Sequence, residues 1–144
     1  MQTLLLENQM DQGRKKIMVI DDEFFVHSWL TKVLEKEGYE VEVCTDPAQG
    51  YEKCASRPEQ YGLVFMDVCF PAGPVGYRVA KGISAMQELG GPAVIGMTGH
   101  RKHYCMKDCE DSGMADLLLK PLFPHLIANL AERHFVAPQP PEMA

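Results

Sequence analysis

Short apolar runs alternate with amphipathic segments along this chain, and the alternation occurs five times. Four of the runs are continuous or nearly continuous in apolar residues, which is the pattern of strands buried on both faces of a sheet. The second run instead alternates between apolar and charged residues and predicts a more exposed strand. We expect the strands at residues 17–20, 39–43, 63–66, 93–97 and 116–119.

The segments between the runs are predicted helices, and several end at residues that favour helix termini. The first ends at Gly38, a residue type that commonly follows the last turn of a helix. Asp46 supplies an N-cap for the second and Pro47 its first position, and this helix is expected to continue to about Ser56. The later helices are expected between a loop at 71–76 and residues 90–91, from about 101 to 111, and from about 124 to 134.

This alternation with short connections predicts an α/β fold of the doubly wound kind, a five-stranded parallel sheet with helices on both faces. A chain of 144 residues can hold one domain with its own core. We expect the domain at 15–134, after an N-terminal extension at 1–14 and before a proline-rich tail at 135–144, of which residues 137–144 are expected to be disordered.

Polar residues suited to phosphoryl or metal chemistry follow four of the five strands. They are Asp21 and Asp22, Asp67, Thr98 and Lys120. The carboxyl ends of parallel strands share one edge of the sheet, so these side chains are expected to converge there. Crowded carboxylates repel one another unless a cation is present, and Mg²⁺ prefers oxygen ligands. A lysine can neutralise a phosphoryl group and a hydroxyl can bond to it, which leaves one carboxylate as a nucleophile.

Charge and cysteine content narrow the classes of partner and compartment. The formal net charge of −6 argues against non-specific binding to nucleic acid. No apolar stretch is long enough to span a bilayer, and the first 14 residues do not resemble a secretory signal. The five cysteines are odd in number and form no paired framework, so a reducing cytoplasm is the expected location.

A zinc site is an alternative use of the segment after the fourth strand. The candidate ligands there are His100, His103, Cys105 and Cys109. His103 and Cys105 are too close in sequence to share a helix face, whereas Cys105 and Cys109 are one turn apart. A solvated helix with incidental thiols is therefore the favoured interpretation.

The ordered set of strand-end residues resembles the response-regulator receiver family, the phosphoacceptor half of two-component systems. The resemblance covers roughly residues 15–134 and implies a flavodoxin-like sheet with strand order 2-1-3-4-5. No single element is specific to the family, but the ordered set is. The matching residues are Asp21 and Asp22, Asp67, Thr98 with Gly99, and Lys120 with Pro121.

The resemblance implies a phosphoacceptor and a metal site. Asp67 would accept a phosphoryl group from the phosphohistidine of a sensor histidine kinase or a phosphotransfer protein. Asp22 and Asp67 would bind Mg²⁺ directly, and Asp21 would act largely through water. The backbone carbonyl of Cys69 would complete the set of protein ligands.

The resemblance also implies how the signal would leave the site. Lys120 would contact the phosphoryl group, Thr98 would move to bond to it, and the Lys120–Pro121 peptide would be cis. The chain would be a switch rather than an enzyme, acting on a downstream protein through its fourth helix, fifth strand and fifth helix. Direct contact with nucleic acid or membrane is not expected, and a homodimer is left open.

Some positions depart from the family's usual pattern. Leu117 stands three residues before Lys120, where the family often has an aromatic residue that moves inward with the threonine. Cys69 and His100 occupy positions that tune the lifetime of the phosphoryl group in the family. The loop after Asp67 is one residue longer than usual before the glycine that opens the third helix.

Two other functions compete with a phosphorylated switch. The first is a degenerate receiver that signals through constitutive protein contacts, which Leu117 and the longer loop favour and the complete set of site residues opposes. The second is a phosphatase of the haloacid dehalogenase type, which also uses an aspartate nucleophile. Such enzymes need a second acid where Cys69 stands, and their nucleophile follows the first strand, so this alternative fits the sequence poorly.

Overall fold

The five predicted strands form one sheet in the computed structural model of the chain, which describes residues 14–138. The strands are β1 (Lys16–Ile20), β2 (Val41–Cys44), β3 (Tyr61–Asp67), β4 (Ala93–Thr98) and β5 (Asp116–Leu119). Their order is β2-β1-β3-β4-β5, and all neighbours are parallel. The predicted α/β class and strand order are both confirmed.

Helices cover both faces of this sheet. They are α1 (Phe24–Lys36), α2 (Pro47–Ser56), α3 (Gly76–Ser84), α4 (Met106–Asp111) and α5 (Pro124–His134), with 3₁₀ turns at Pro58–Gln60, Ala85–Leu89 and Arg101–His103. One face packs on α1 and α5 through a cluster that includes Leu30 and Ile127. The other packs on α2, α3 and α4 through Cys54, Ile83 and Cys109. The strands β1, β3 and β4 therefore lie between two apolar layers, as their continuous apolar sequence predicts, whereas the alternating edge strand β2 is only partly buried.

Local capping fixes two of the predicted helix ends. The Asp46 carboxylate accepts a hydrogen bond from the Ala48 amide at 3.0 Å, and α2 begins at Pro47. Beyond α1, Gly38 has a φ of +94°, which glycine adopts without a steric penalty. Both interpretations of the sequence are confirmed.

The helix expected over 101–111 is divided in the structure. A 3₁₀ turn occupies Arg101–His103, and α4 begins only at Met106. The division has a physical cause, since the Cys105 amide donates to the side-chain hydroxyl of Tyr77 at 3.4 Å instead of continuing a helix.

The chain continues to pack on the domain after α5. The Val136 amide donates to the Gly62 carbonyl at 2.9 Å, and the Phe135 ring lies 5.2 Å from the Tyr39 ring. The expected disorder of the tail from residue 139, and the expected extension over residues 1–13, lie outside the described residues. Within residues 14–138, every helix is too short or too polar to cross a membrane.

Candidate functional site

Three carboxylates meet at the carboxyl ends of β1 and β3. The register pairs Ile20 with Met66, so Asp21 and Asp67 emerge side by side from adjacent strands. One ligand oxygen from each of these residues and from Asp22 lies within 4.8 Å of the others. Asp21 and Asp67 are buried and Asp22 is exposed, so the cluster opens to solvent on one side only.

Lys120 joins the two buried carboxylates. Its ammonium lies 2.9 Å from Asp21 Oδ2 and 3.3 Å from Asp67 Oδ1, and its side chain is mostly buried. The Lys120–Pro121 peptide is cis, as the resemblance implies. The end of β5 therefore supplies the single positive charge that bridges the ends of β1 and β3.

Each oxygen of Asp21 has a partner from the protein. Oδ1 accepts a hydrogen bond from the Glu23 amide at 2.8 Å, and Oδ2 accepts one from Lys120. This pair of bonds fixes the orientation of the carboxylate. Asp22 and Asp67 are therefore better placed than Asp21 to offer an oxygen to an incoming cation.

Burial and charge act together on the pKa of Asp67. Burial, followed by the nearby charge of Asp21, raises the pKa of Asp67 from 3.8 to about 7, although Lys120 opposes the increase. Burial lowers the pKa of Lys120, because it disfavours the charged ammonium. This effect is smaller than the opposite effect of the hydrogen bond and charge of Asp21 together with the charge of Asp67, so the pKa of Lys120 is raised.

The residues present fit a magnesium ion. Lys120 balances only one of the three negative charges, and the remaining repulsion adds to burial in raising the pKa of Asp67. A divalent cation would supply the missing charge, and clustered carboxylate oxygens are the ligands that Mg²⁺ prefers. Asp21, Asp22 and Asp67 are the side chains that would hold it.

Thr98 lies at the same edge but makes different contacts. It is fully buried at the end of β4, where the register pairs Asp67 with Met97. Its hydroxyl accepts a hydrogen bond from the His100 amide at 3.2 Å and lies 3.9 Å from the Cys69 thiol. The structure therefore brings Thr98 to the predicted edge with its hydroxyl bonded within its own loop.

The loop after Asp67 turns back tightly onto the end of its strand. Phe70 and Gly73 exchange two backbone hydrogen bonds, and the Gly76 amide donates to the Val68 carbonyl at 2.9 Å. A Cβ at position 76 would lie 2.2 Å from the backbone oxygen of Asp67. Only glycine allows α3 to begin this close to the acceptor.

Leu117 is part of the core in this structure. It is 2% exposed, and a Cβ at Gly96 would lie 2.8 Å from its Cδ1, so the glycine on the neighbouring strand provides its space. Leucine has no polar atom with which to couple to a hydroxyl. Leu117, which stands where the family often has an aromatic residue, is therefore a well-packed apolar residue of the core.

The zinc alternative finds no geometric support. The His100 and His103 rings lie 6.1 Å apart in an edge-to-face contact, and Cys109 is a buried residue of α4. Among residues 14–138, the three aspartates are the only group of potential ligands with metal-binding spacing.

Sequence reasoning missed one polar residue of this region. Tyr77, in the first turn of α3, donates from its hydroxyl to the His103 carbonyl at 2.5 Å. A tyrosine on an amphipathic helix carries no local signal of such a contact. The loop at 71–76 did indicate where α3 begins.

Comparisons with known proteins show the family of the chain. The sequence profile of one family, described as the response regulator receiver domain, matches residues 17–132. The osmosensing histidine protein kinase SLN1 of Saccharomyces cerevisiae is 30% identical over 123 residues, which are 81% of this chain and 10% of that protein. The two-component response regulator ORR6 of Oryza sativa is 23% identical, over 85% of this chain and 72% of that protein.

Solved structures show the same fold. The chemotaxis protein CheY4 of Vibrio cholerae superposes with a TM-score of 0.72 at 19% identity, over 85% of this chain and 99% of that one. A two-component response regulator from Clostridium difficile gives 0.70 at 23% identity, over 83% and 94% of the two chains. The chain spans only 10–17% of the length of several sensor kinases that it resembles.

Proposed function

This chain belongs to the response regulator receiver domain family of two-component signalling, and from that premise we propose that Asp67 accepts a phosphoryl group from a phosphohistidine. The donor is a sensor histidine kinase or a phosphotransfer protein. The buried bridge from Lys120 to Asp21 and Asp67 is the observation that carries the proposal. Once a cation neutralises the carboxylates, the Lys120 ammonium between them can bind a further negative group, the phosphoryl group.

In the proposed transfer, a carboxylate oxygen of Asp67 forms a bond to phosphorus while the phosphorus–nitrogen bond of the donor breaks. The electron pair of that bond stays on the imidazole, and the product is an acyl phosphate. Lys120 neutralises one phosphoryl oxygen from its position 3.3 Å from Asp67. Asp22, Asp67 and the backbone carbonyl of Cys69 would hold Mg²⁺ directly, with Asp21 acting largely through water, and the ion would supply charge neutralisation.

Output follows from a shift between two conformations. Thr98 leaves His100 and bonds to the phosphoryl group, so the loop between β4 and α4 rearranges. We infer that the signal reaches a downstream protein through α4, β5 and α5. The exposed apolar side chains of Met106 and Leu126 on this face support the inference, as does the exposed Tyr104 beside it. A cytoplasmic location fits a partner of this kind.

The constitutive interaction module remains the second candidate, and the observation that favours it is the apolar packing of Leu117. Such a module needs no phosphoryl group. A phosphatase is not favoured, because the residue two positions after the acceptor is Cys69 rather than an acid.

Incubation with acetyl phosphate and Mg²⁺ tests the proposal. We expect intact-mass spectrometry to show one added phosphoryl group, which hydroxylamine removes and which chelation of Mg²⁺ prevents. The Asp67→Asn variant should gain none, whereas Asp46→Asn, an exposed N-cap change, should behave as wild type. A wild-type protein that stays unmodified would instead support the constitutive module, and release of phosphate from generic esters would support a phosphatase.

A further inference from the structure

We propose that the Tyr77 hydroxyl is a positioning group that holds the segment from His100 to Cys105 while Asp67 is unphosphorylated. Thr98 can reach a phosphoryl group only after this segment moves. The proposal rests on the proposed function above and adds a residue that restrains the switch.

The Tyr77 hydroxyl bridges two backbone groups of the segment. It donates to the His103 carbonyl at 2.5 Å and accepts from the Cys105 amide at 3.4 Å. These groups belong to the end of the 3₁₀ turn and to the N-cap of α4, which has no side-chain cap of its own. Because α4 is only 6 residues long, contacts with the rest of the fold must fix its start.

The other end of the segment is held by Thr98. The His100 amide donates to Thr98 Oγ1 at 3.2 Å, and the His100 carbonyl lies 3.4 Å from the same hydroxyl. A threonine hydroxyl has a single proton, so it cannot donate to the His100 carbonyl and to a phosphoryl oxygen at the same time. Turning Thr98 toward Asp67 therefore releases the His100 carbonyl, and the Tyr77 bridge then opposes movement of the remainder.

Tyr77 itself cannot follow the segment freely. It adjoins Gly76, whose amide is bonded to Val68 and whose Cα lies against the backbone of Asp67. The first turn of α3 is thus fixed to the acceptor strand. Tyr77 acts as a stationary anchor, and its two hydrogen bonds favour the unphosphorylated arrangement over the phosphorylated one.

Tyr77→Phe removes the anchor and keeps the ring. In the presence of Mg²⁺, we expect the variant to bind beryllofluoride about two- to tenfold more tightly than wild type. This range corresponds to the loss of one typical hydrogen bond from the unphosphorylated conformation alone. Binding can be followed by the fluorescence of Trp29, the single tryptophan, which lines a groove with Lys120 and Pro121. Amide hydrogen exchange at Cys105 in the free protein should also become faster.

Tyr61→Phe is the matched control, since it also removes a hydroxyl that donates a hydrogen bond, here to Glu42 at 2.7 Å from the first residue of β3, the end of that strand away from Asp67. It should change neither the affinity nor the exchange at Cys105. Unchanged or weaker beryllofluoride binding by Tyr77→Phe, with wild type binding normally, would overturn the proposal. If wild type binds no beryllofluoride, the proposed function fails. In that case, amide exchange at Cys105 that is the same in Tyr77→Phe as in wild type would also overturn the proposed role of Tyr77.

Discussion

Removing the acceptor carboxylate should stabilise the metal-free protein, and the gain should depend on pH. Burial and the charge of Asp21 raise the pKa of Asp67 from 3.8 to about 7 in the folded state. The folded protein therefore keeps a proton that the unfolded chain has released, so the free energy of unfolding falls as pH rises from about 4 to about 7. The Asp67→Asn variant has no such proton and should lack this slope.

The expected size follows from the shift. A pKa difference of about three units corresponds to roughly 4 kcal/mol of folding free energy, of which about 3 kcal/mol accrues between pH 5 and pH 8. At pH 5 the folded wild type carries a neutral carboxyl, which asparagine resembles in shape and charge, so the two proteins should be nearly equal in stability. At pH 8 in a chelator, Asp67→Asn should be more stable by about 3 kcal/mol.

Urea denaturation at pH 5, 6, 7 and 8 in a chelator measures this difference, with Asp46→Asn as the control. Asp46 is an exposed N-cap where asparagine serves as well as aspartate, so its variant should follow wild type at every pH. Added Mg²⁺ at pH 8 should stabilise wild type more than Asp67→Asn. Parallel stability curves for wild type and Asp67→Asn would refute the electrostatic account of the site.

Three further predictions concern the contacts around the site and at the end of α5, each checked by urea denaturation. Gly76→Ala should lower the free energy of unfolding by at least about 2 kcal/mol, because its Cβ would lie 2.2 Å from the Asp67 carbonyl. Gly38→Ala has open space around its Cβ but a positive φ, and should lower it by about 1 kcal/mol. Equal losses in the two variants would contradict the clash. Lys120→Met should cost about 3 kcal/mol at pH 8 because it leaves the fully buried carboxylate of Asp21 without its cation, and a loss below about 1 kcal/mol would contradict the bridge. Phe135→Ala should cost about 2 kcal/mol through lost packing on Gly62, and a neutral effect would show that the chain after α5 does not pack on the domain.

Much of the fold follows from local sequence, because a strand buried on both faces must be apolar along its length. The bounds of β5 agree with the predicted ones for this reason, those of the helix α5 also agree, and the strand order followed from the resemblance. β3 begins two residues earlier than predicted, at Tyr61, since its first residue pairs with Lys16. That pairing depends on a partner strand and leaves no periodic signal.

The site was predictable as far as the backbone alone determines it. Asp21, Asp67 and Lys120 meet because the ends of parallel strands share one edge, which the order of elements already implies. The contacts of Tyr77 with the loop before α4 were not predictable. They depend on where one side chain on α3 points, which neither helical periodicity nor motif spacing encodes.

Locating the phosphoryl group tests the central claim most directly. Treating the phosphorylated protein with borohydride reduces an acyl phosphate of aspartate to homoserine, and peptide mass spectrometry then identifies the position. The account predicts homoserine at position 67 and unmodified aspartate at positions 21 and 22. Homoserine at either of those two positions, or at none after treatment with a phosphoryl donor and Mg²⁺, would contradict it.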